Sequence, residues 1–85
     1  MRPWEIIAQE DKSLSEGCQR LILLRGPYLM DPYKIYGLVK RAGSWILVDR
    51  FQVPGTTGTE SPDWAFRQAW PLFNSNGLKS ALGKQ

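Results

Sequence analysis

Groups that could carry out catalysis are few in this chain of 85 residues. It has no histidine, and Cys18 is its single cysteine, so neither a histidine general base nor a cysteine–histidine pair can form. Of the eight carboxylates, six lie at expected helix starts or in polar connectors, where capping and solvation explain them: Glu5, Glu10, Asp11, Glu16, Asp31 and Asp63. The sequence therefore predicts no catalytic residue and a protein that is not an enzyme.

The same shortage argues against a metal or a cofactor. One cysteine allows no internal disulfide, and a zinc site built from carboxylates alone is unusual. The loop 55–59 resembles a phosphate cradle, in which backbone N–H groups face an anion. It lacks the Gly-Lys-Ser/Thr ending of a P-loop, however, and Glu60 and Asp63 would repel the anion. We expect no metal and no cofactor.

Basic side chains on one face of the helix expected over 32–42, together with one from the expected strand 44–53, are candidates for binding a polyanion: Lys34, Lys40, Arg41 and Arg50. Cations contact phosphates, and a neighbouring aromatic ring can stack on a base. Four charges are few for this purpose, and Asp31 and Asp49 offset part of them. We expect no binding near physiological salt, so a nucleic-acid-binding regulator is the alternative function.

Aromatic and arginine side chains favour a protein partner instead, because these types are enriched at interaction hot spots. The candidate partner-binding residues are Trp64, Arg67, Tyr28 and Tyr33. The competing interpretation of Trp64 is that it folds back on the loop 54–60. The leading expectation is a small non-enzymatic adaptor, inhibitor or regulatory subunit that acts through protein–protein contacts.

Composition places this protein in the cytoplasm and away from membranes. The chain is 42% hydrophobic with a net charge of +3, as in globular proteins. Its longest apolar runs are four residues, against the roughly 20 that a membrane-spanning helix needs. No apolar signal segment is visible near Met1, and a lone cysteine suits a reducing compartment.

The element expected to organise the fold is a strand over 44–53, which reads SWILVDRFQV. It is rich in β-branched and aromatic residues, and it lies between Gly43 and Pro54. Both faces of its first half are apolar, which predicts a central strand covered on both sides. Leu47 and Val48 are therefore expected to be buried.

Helices are predicted over 3–10, 14–25, 32–42 and 62–70, with a last helical turn over 78–82. Their start signals are Pro3, a capping box from Ser13 to Glu16, Asp31-Pro32 and Ser61-Pro62. Pro71 should bend or break the last of these helices. Two alternatives remain open: a strand at 21–24, and 32–42 as one arm of a hairpin with 45–53. The hairpin is disfavoured because Gly37 would occupy the middle of its inward face.

Together these elements predict a single α+β domain over residues 1–85. Three or four short helices would pack on a minimal sheet whose central strand is 44–53. One strand cannot satisfy its own backbone hydrogen bonds. Its partner would be 21–24, the N-terminal segment, or a second copy of the chain, which would make a homodimer.

Overall fold

A four-stranded antiparallel sheet dominates the computed structural model, which describes residues 3–14 and 17–82, with side chains at 3–13 and 17–73. The strands lie side by side in chain order, and a helix follows the last one. The elements are β1 (Glu5–Leu14), β2 (Gly17–Arg25), β3 (Tyr33–Arg41), β4 (Ser44–Gln52) and α1 (Pro62–Leu82). The sheet is therefore a meander with β1 and β4 at its edges.

The predicted fold of three or four helices on a minimal sheet is wrong, because three of the predicted helices are strands. The segments 3–10, 14–25 and 32–42 form most of β1, β2 and β3. Both alternatives left open by the sequence are confirmed: 21–24 lies within β2, and β3 pairs with β4 as a hairpin. The predicted capping box falls partly on residues 15 and 16, outside the described residues.

Strand β3 shows why the helical interpretation failed. Its alternate residues Tyr33, Ile35, Gly37 and Val39 are buried on the side of the sheet that faces α1. Gly37 fits there because an added Cβ would lie 2.6 Å from a ring carbon of Phe73, far too close for a side chain. The gap that Gly37 leaves in the strand's apolar pattern is filled by a ring from the helix.

The turn between β3 and β4 explains a second misleading signal. Arg41 pairs with Ser44, and the two residues between them, Ala42 and Gly43, have φ angles of 51° and 81°. Positive φ at both central residues is the mark of a type I′ turn, which suits a two-residue hairpin. A glycine with positive φ also ends many helices, so Gly43 is equally compatible with the end of the predicted helix 32–42.

Strand β4 has the predicted type but lies at an edge of the sheet, where its partner is β3. The predicted partners of this strand, 21–24 and the N-terminal segment, do not pair with it. Because β3 pairs with β4 within the chain, a second copy is not required for this pairing. Leu47 is 43% exposed, so its predicted burial is wrong, whereas Val48 packs partly buried against the core at a β-bulge. The edge position leaves both Ile46, on the side of α1, and Leu47, on the other side, 43% exposed.

Helix α1 follows the local signals at its start. The backbone N–H of Trp64 donates to Oγ of Ser61 at 3.2 Å, which confirms the predicted N-cap. One stripe of apolar residues on this helix is buried against the sheet: Ala65, Phe66, Ala69, Trp70 and Phe73. The helix continues through Pro71 to Leu82, so the predicted separate turn at 78–82 is part of α1.

Candidate functional site

The side of the sheet away from α1 is called the open face below. Side chains alternate between the two sides of a strand, and residues paired across strands share a side. The register therefore assigns to the open face Ile6, Gln9, Asp11, Ser13, Cys18, Arg20, Ile22, Leu24, Lys34, Tyr36, Leu38, Lys40, Trp45, Leu47, Arg50 and Gln52. Within the described part of the chain, no helix lies over this face.

The open face is strongly basic. Its cations are Arg20, Lys34, Lys40 and Arg50, and Asp11 is the carboxylate that the described strands place among them. Four positive charges against one negative charge leave a surplus of three. Such a surplus on one side of so small a protein attracts polyanions and raises their rate of association.

The acids expected to offset these cations lie elsewhere. Asp49 is paired with Gly37 on the side of the sheet that faces α1. Asp31 lies in the loop before β3, where its Oδ1 accepts a hydrogen bond from the N–H of Gly55 at 2.7 Å. The predicted cancellation of charge is therefore weaker on the open face than the sequence suggests.

A chain of contacts crosses the open face from β1 to β4. Nε and Nη2 of Arg20 donate to the two carboxylate oxygens of Asp11 at 2.8 and 3.0 Å. This hydrogen-bonded ion pair lowers the pKa of Asp11 and raises that of Arg20. The same guanidinium lies 4.0 Å from the ring centroid of Trp45, and Nζ of Lys40 lies 5.9 Å from it. Arg20 is therefore fixed in place by a carboxylate and an indole.

A second cluster lies at the opposite end of the strands. Nζ of Lys34 is 4.4 Å from the ring centroid of Trp4, which in turn packs at 5.7 Å against the ring of Tyr28. Trp4 also lies close over Gly26, where an added Cβ would be 2.7 Å from the indole. Both ends of the open face thus carry a cation held against a tryptophan.

Tyr36 lies between these two clusters, at the centre of the open face. Across the sheet it pairs with Ile22 on β2 and with Arg50 on β4. Along its own strand, Lys34 and Leu38 are the next residues on the same side. The side chain of Tyr36 is half-buried. Its neighbour on β2 is the aliphatic Ile22, and its neighbour on β4 is the cation Arg50.

The structure brings together most of the basic residues predicted from the sequence. Lys34, Lys40 and Arg50 share the open face, although they do so on two strands and not on a helix. Arg41 does not join them, because alternation directs it to the other side of β3, where it is exposed beside the turn.

The predicted partner-binding residues are not brought together. Tyr33 is 2% exposed, and its hydroxyl donates to the carbonyl oxygens of Glu60 and Gly58 at 2.6 and 3.2 Å. Trp64 packs partly buried against the core, and Arg67 is exposed on α1. Tyr28 lies in the loop between β2 and β3, and its side chain is 54% exposed. No single surface contains them all.

The loop that resembled a phosphate cradle holds an anion of its own. Backbone N–H groups of Thr57 and Gly58 donate to the carboxylate of Glu60 at 3.0 and 3.1 Å. Burial raises the pKa of Glu60, but the backbone N–H groups of Glu60, Thr57 and Gly58 outweigh it and leave that pKa lowered. The amide groups that a phosphate would need are therefore used to order the chain before α1.

Sequence reasoning missed several residues that take part in the contacts of the open face, among them Arg20, Tyr36 and Trp45. Arg20 and Tyr36 were assigned to helices, and Trp45 to a strand covered on both sides. Reading 33–40 as a strand would have found the pattern, because Lys34, Tyr36, Leu38 and Lys40 then line one side. The contact of Arg20 with Trp45 depends on the pairing of distant strands and has no local signal.

Three further findings bear on function. Among the described residues, no group of three or more metal-ligating side chains is assembled. The described helix is not apolar enough over the necessary length to cross a membrane. The chain matches no model of a protein family and no curated protein, and its fold matches no solved structure.

Proposed function

We propose that this protein is a non-enzymatic nucleic-acid-binding protein of the cytoplasm and that it binds the phosphate backbone on its open face. The observation that carries the proposal is the surplus of three positive charges on a sheet face that also carries the half-buried aromatic side chains Tyr36 and Trp45. Phosphates bind cations, and rings on the same surface can contact bases. Helix α1 packs on the other side of the sheet, where it forms the core together with the strands.

The spacing of the cations suits an extended chain of phosphates. Lys34 and Lys40 are six residues apart on β3, which is about 20 Å at the usual rise of a strand. Arg50 lies between them on the neighbouring strand, opposite Tyr36. A strand of nucleic acid laid along β3 would therefore meet a cation near its start, its middle and its end.

This proposal replaces the protein-binding function that the sequence favoured, because the structure scatters the residues on which that expectation depended. Tyr33 belongs to the core, and Trp64 supports it. Tyr28 and Arg67 belong to separate elements, the β2–β3 loop and α1. A protein partner, including a second copy paired through the free edge of β4, is the outcome that remains if nucleic acid fails to bind.

Salt dependence tests the proposal directly. Fluorescence anisotropy would measure the affinity for a labelled oligothymidine of about 12 nucleotides between about 50 and about 200 mM salt. Three or four phosphate contacts predict a slope of log affinity against log salt of about −2 to −3 for a single strand. Neutralising Lys34→Gln or Arg50→Gln should each reduce that slope by about 0.7.

Arg67→Gln is the matched control, because it removes the same kind of charge from the exposed side of α1. It should leave the slope unchanged. An absence of binding at the lowest salt, or an equal effect of all three substitutions, would show that the open face is not the binding surface. Capture of one protein by the intact chain under those conditions would then favour the protein-binding function.

A further inference from the structure

We infer that the ligand of the open face is single-stranded and that Tyr36 stacks on one of its unpaired bases. The inference rests on the proposed function and adds to it the class of nucleic acid and the residue that contacts the base. It depends on three features of the structure: the width of the sheet, the cations that lie over the tryptophan rings, and the surroundings of Tyr36.

The shape of the open face is unsuited to reading a duplex. Four strands place the two outer strands about 14 Å apart, from three spacings of about 4.8 Å. The major groove of B-form DNA is only about 12 Å wide and admits one helix or a two-stranded ribbon. The side chains that a duplex would have to meet lie across the middle of this sheet and not on a projecting ribbon. An unpaired strand can lie flat on such a surface and turn its bases toward it.

The tryptophan rings near the open face are already in contact with cations. The guanidinium of Arg20 lies 4.0 Å from the ring centroid of Trp45, and Lys34 lies 4.4 Å from that of Trp4. Within the described part of the chain, Tyr36 has no comparable cation or ring over it. It is therefore the aromatic ring of this face that is free to stack on a base.

The surroundings of Tyr36 favour this role. Its side chain is half-buried between Ile22 and Arg50, which limits the freedom that the ring would lose on binding. Arg50 on one side and Lys34 along the strand supply cations for the phosphates on either side of a stacked base. Base and backbone contacts thus come from adjacent residues of one rigid sheet.

The test compares three probes of equal length: labelled oligothymidine, the same strand with abasic sites in place of its bases, and a duplex. Tyr36→Leu keeps an apolar side chain and removes the ring, whereas Tyr36→Phe keeps the ring and is the matched control. Loss of one stacked base should weaken binding of oligothymidine by about 5- to 150-fold in Tyr36→Leu. The slope against salt should not change, because no phosphate contact is lost.

The abasic strand makes the test independent of any loss of folded protein. Tyr36→Leu should bind that strand as well as the wild type does, and Tyr36→Phe should bind oligothymidine nearly as tightly as the wild type. The wild type should prefer oligothymidine to the duplex.

Equal affinity of Tyr36→Leu and wild type for oligothymidine would overturn the stacking role. If Arg50→Gln still reduces the salt slope, the proposed function stands without it. Equal or tighter binding of the duplex would overturn the inference of a single-stranded ligand. Failure of the wild type to bind any of the three probes at low salt would overturn the inference and the proposed function together.

Discussion

The two sides of the sheet differ sharply, although the same four strands build both. The covered side is packed by α1 and holds side chains that are almost wholly inaccessible, such as Leu21, Leu23 and Ile35. The open face alternates cations with aromatic and aliphatic side chains. Tyr36 and Gly37 are neighbours in β3, yet one places a half-buried ring on the open face and the other receives the ring of Phe73. Stability and proposed binding are thus divided between the two sides of each strand.

This division teaches that hydrophobicity alone does not locate the core of so small a sheet. Leu47 and Leu23 are the same residue type in two strands, but their side chains are 43% and 0% exposed. Leu23 lies on the covered side of a central strand, whereas Leu47 lies on the open face of the edge strand β4. A prediction about a substitution must therefore begin from the side of the sheet on which the residue lies.

The largest difference should appear when the same truncation is made on each side. Leu23→Ala should lower the free energy of unfolding by about 2–5 kcal/mol, because it removes buried apolar contacts and leaves a cavity under α1. Leu47→Ala should lower it by less than about 1 kcal/mol, since much of that side chain is already in water. Urea denaturation of both variants measures the two values. Equal losses would mean that the open face is covered in solution.

The second prediction concerns the contact of Gly37 with α1. Gly37→Ala should destabilise the protein by about 1–3 kcal/mol, because the new methyl group would lie 2.6 Å from a buried ring carbon of Phe73. Combining it with Phe73→Leu should cost less than the sum of the two single changes, since the smaller side chain makes room. Strictly additive losses in thermal denaturation would show that the ring does not rest on this glycine.

Some of the features behind these two predictions could be predicted from the sequence, and others could not. The strand type of 44–53, the start of α1 at Ser61 and the buried stripe of that helix were predictable, because each depends on residues close together in the chain. The exposure of Leu47 was not predictable, because it depends on the place of β4 at the edge of the sheet and on the side of the sheet that the helix covers.

Three strands were missed for a related physical reason. The apolar positions of 14–25 fit a helical stripe as well as they fit alternation in a strand, and pairing with distant strands decides between the two. Gly37 interrupts the apolar pattern on the inward face of β3, and Phe73, far along the chain, fills the space. Local signals such as Asp31-Pro32 and Gly43 mark turns as well as helix ends.

The candidate site was predictable in part. Lys34, Lys40 and Arg50 stand out as cations from the sequence, and the structure places them on one face. Arg20 and Trp45 could not be added, because their contact spans strands that are far apart in the chain. Tyr36 lies in the segment predicted as the helix 32–42, and only the strand register shows that it shares a side with the cations.

The third prediction compares one hydroxyl on each side of β3. Tyr33→Phe should lower the free energy of unfolding by about 0.5–1.5 kcal/mol, because the carbonyl oxygens of Glu60 and Gly58 lose their donor. Tyr36→Phe removes a hydroxyl on the open face and should change stability by less than about 0.5 kcal/mol. Burial and the charge of Glu60 raise the pKa of Tyr33, so its hydroxyl stays a donor at neutral pH. A larger loss in Tyr36→Phe than in Tyr33→Phe would reverse the assignment of the two sides.

The smallest expected effect is a change of the free energy of unfolding with pH in the acid range. It compares two carboxylates, Glu60 and Asp11, which have different hydrogen-bond partners. The pKa of Glu60 is lowered because the hydrogen bonds that it accepts from backbone N–H groups outweigh its burial, and the pKa of Asp11 is lowered by the hydrogen-bonded guanidinium of Arg20. A carboxylate with a lowered pKa in the folded state adds stability above its unfolded pKa and loses it as the pH falls through the folded one. The contribution of Glu60 should therefore be complete above its ordinary pKa of 4.5 and decline below it.

Glu60→Gln and Asp11→Asn test this by urea denaturation across the acid range. Each should be less stable than the wild type at neutral pH, and each difference should shrink toward zero in acid. Added salt should weaken the effect of Asp11→Asn, whose ion pair lies in the exposed part of the sheet. It should alter that of Glu60→Gln much less, because backbone amides at fixed positions hold this carboxylate. A Glu60→Gln variant whose deficit grows in acid would contradict the lowered pKa and the closed loop before α1.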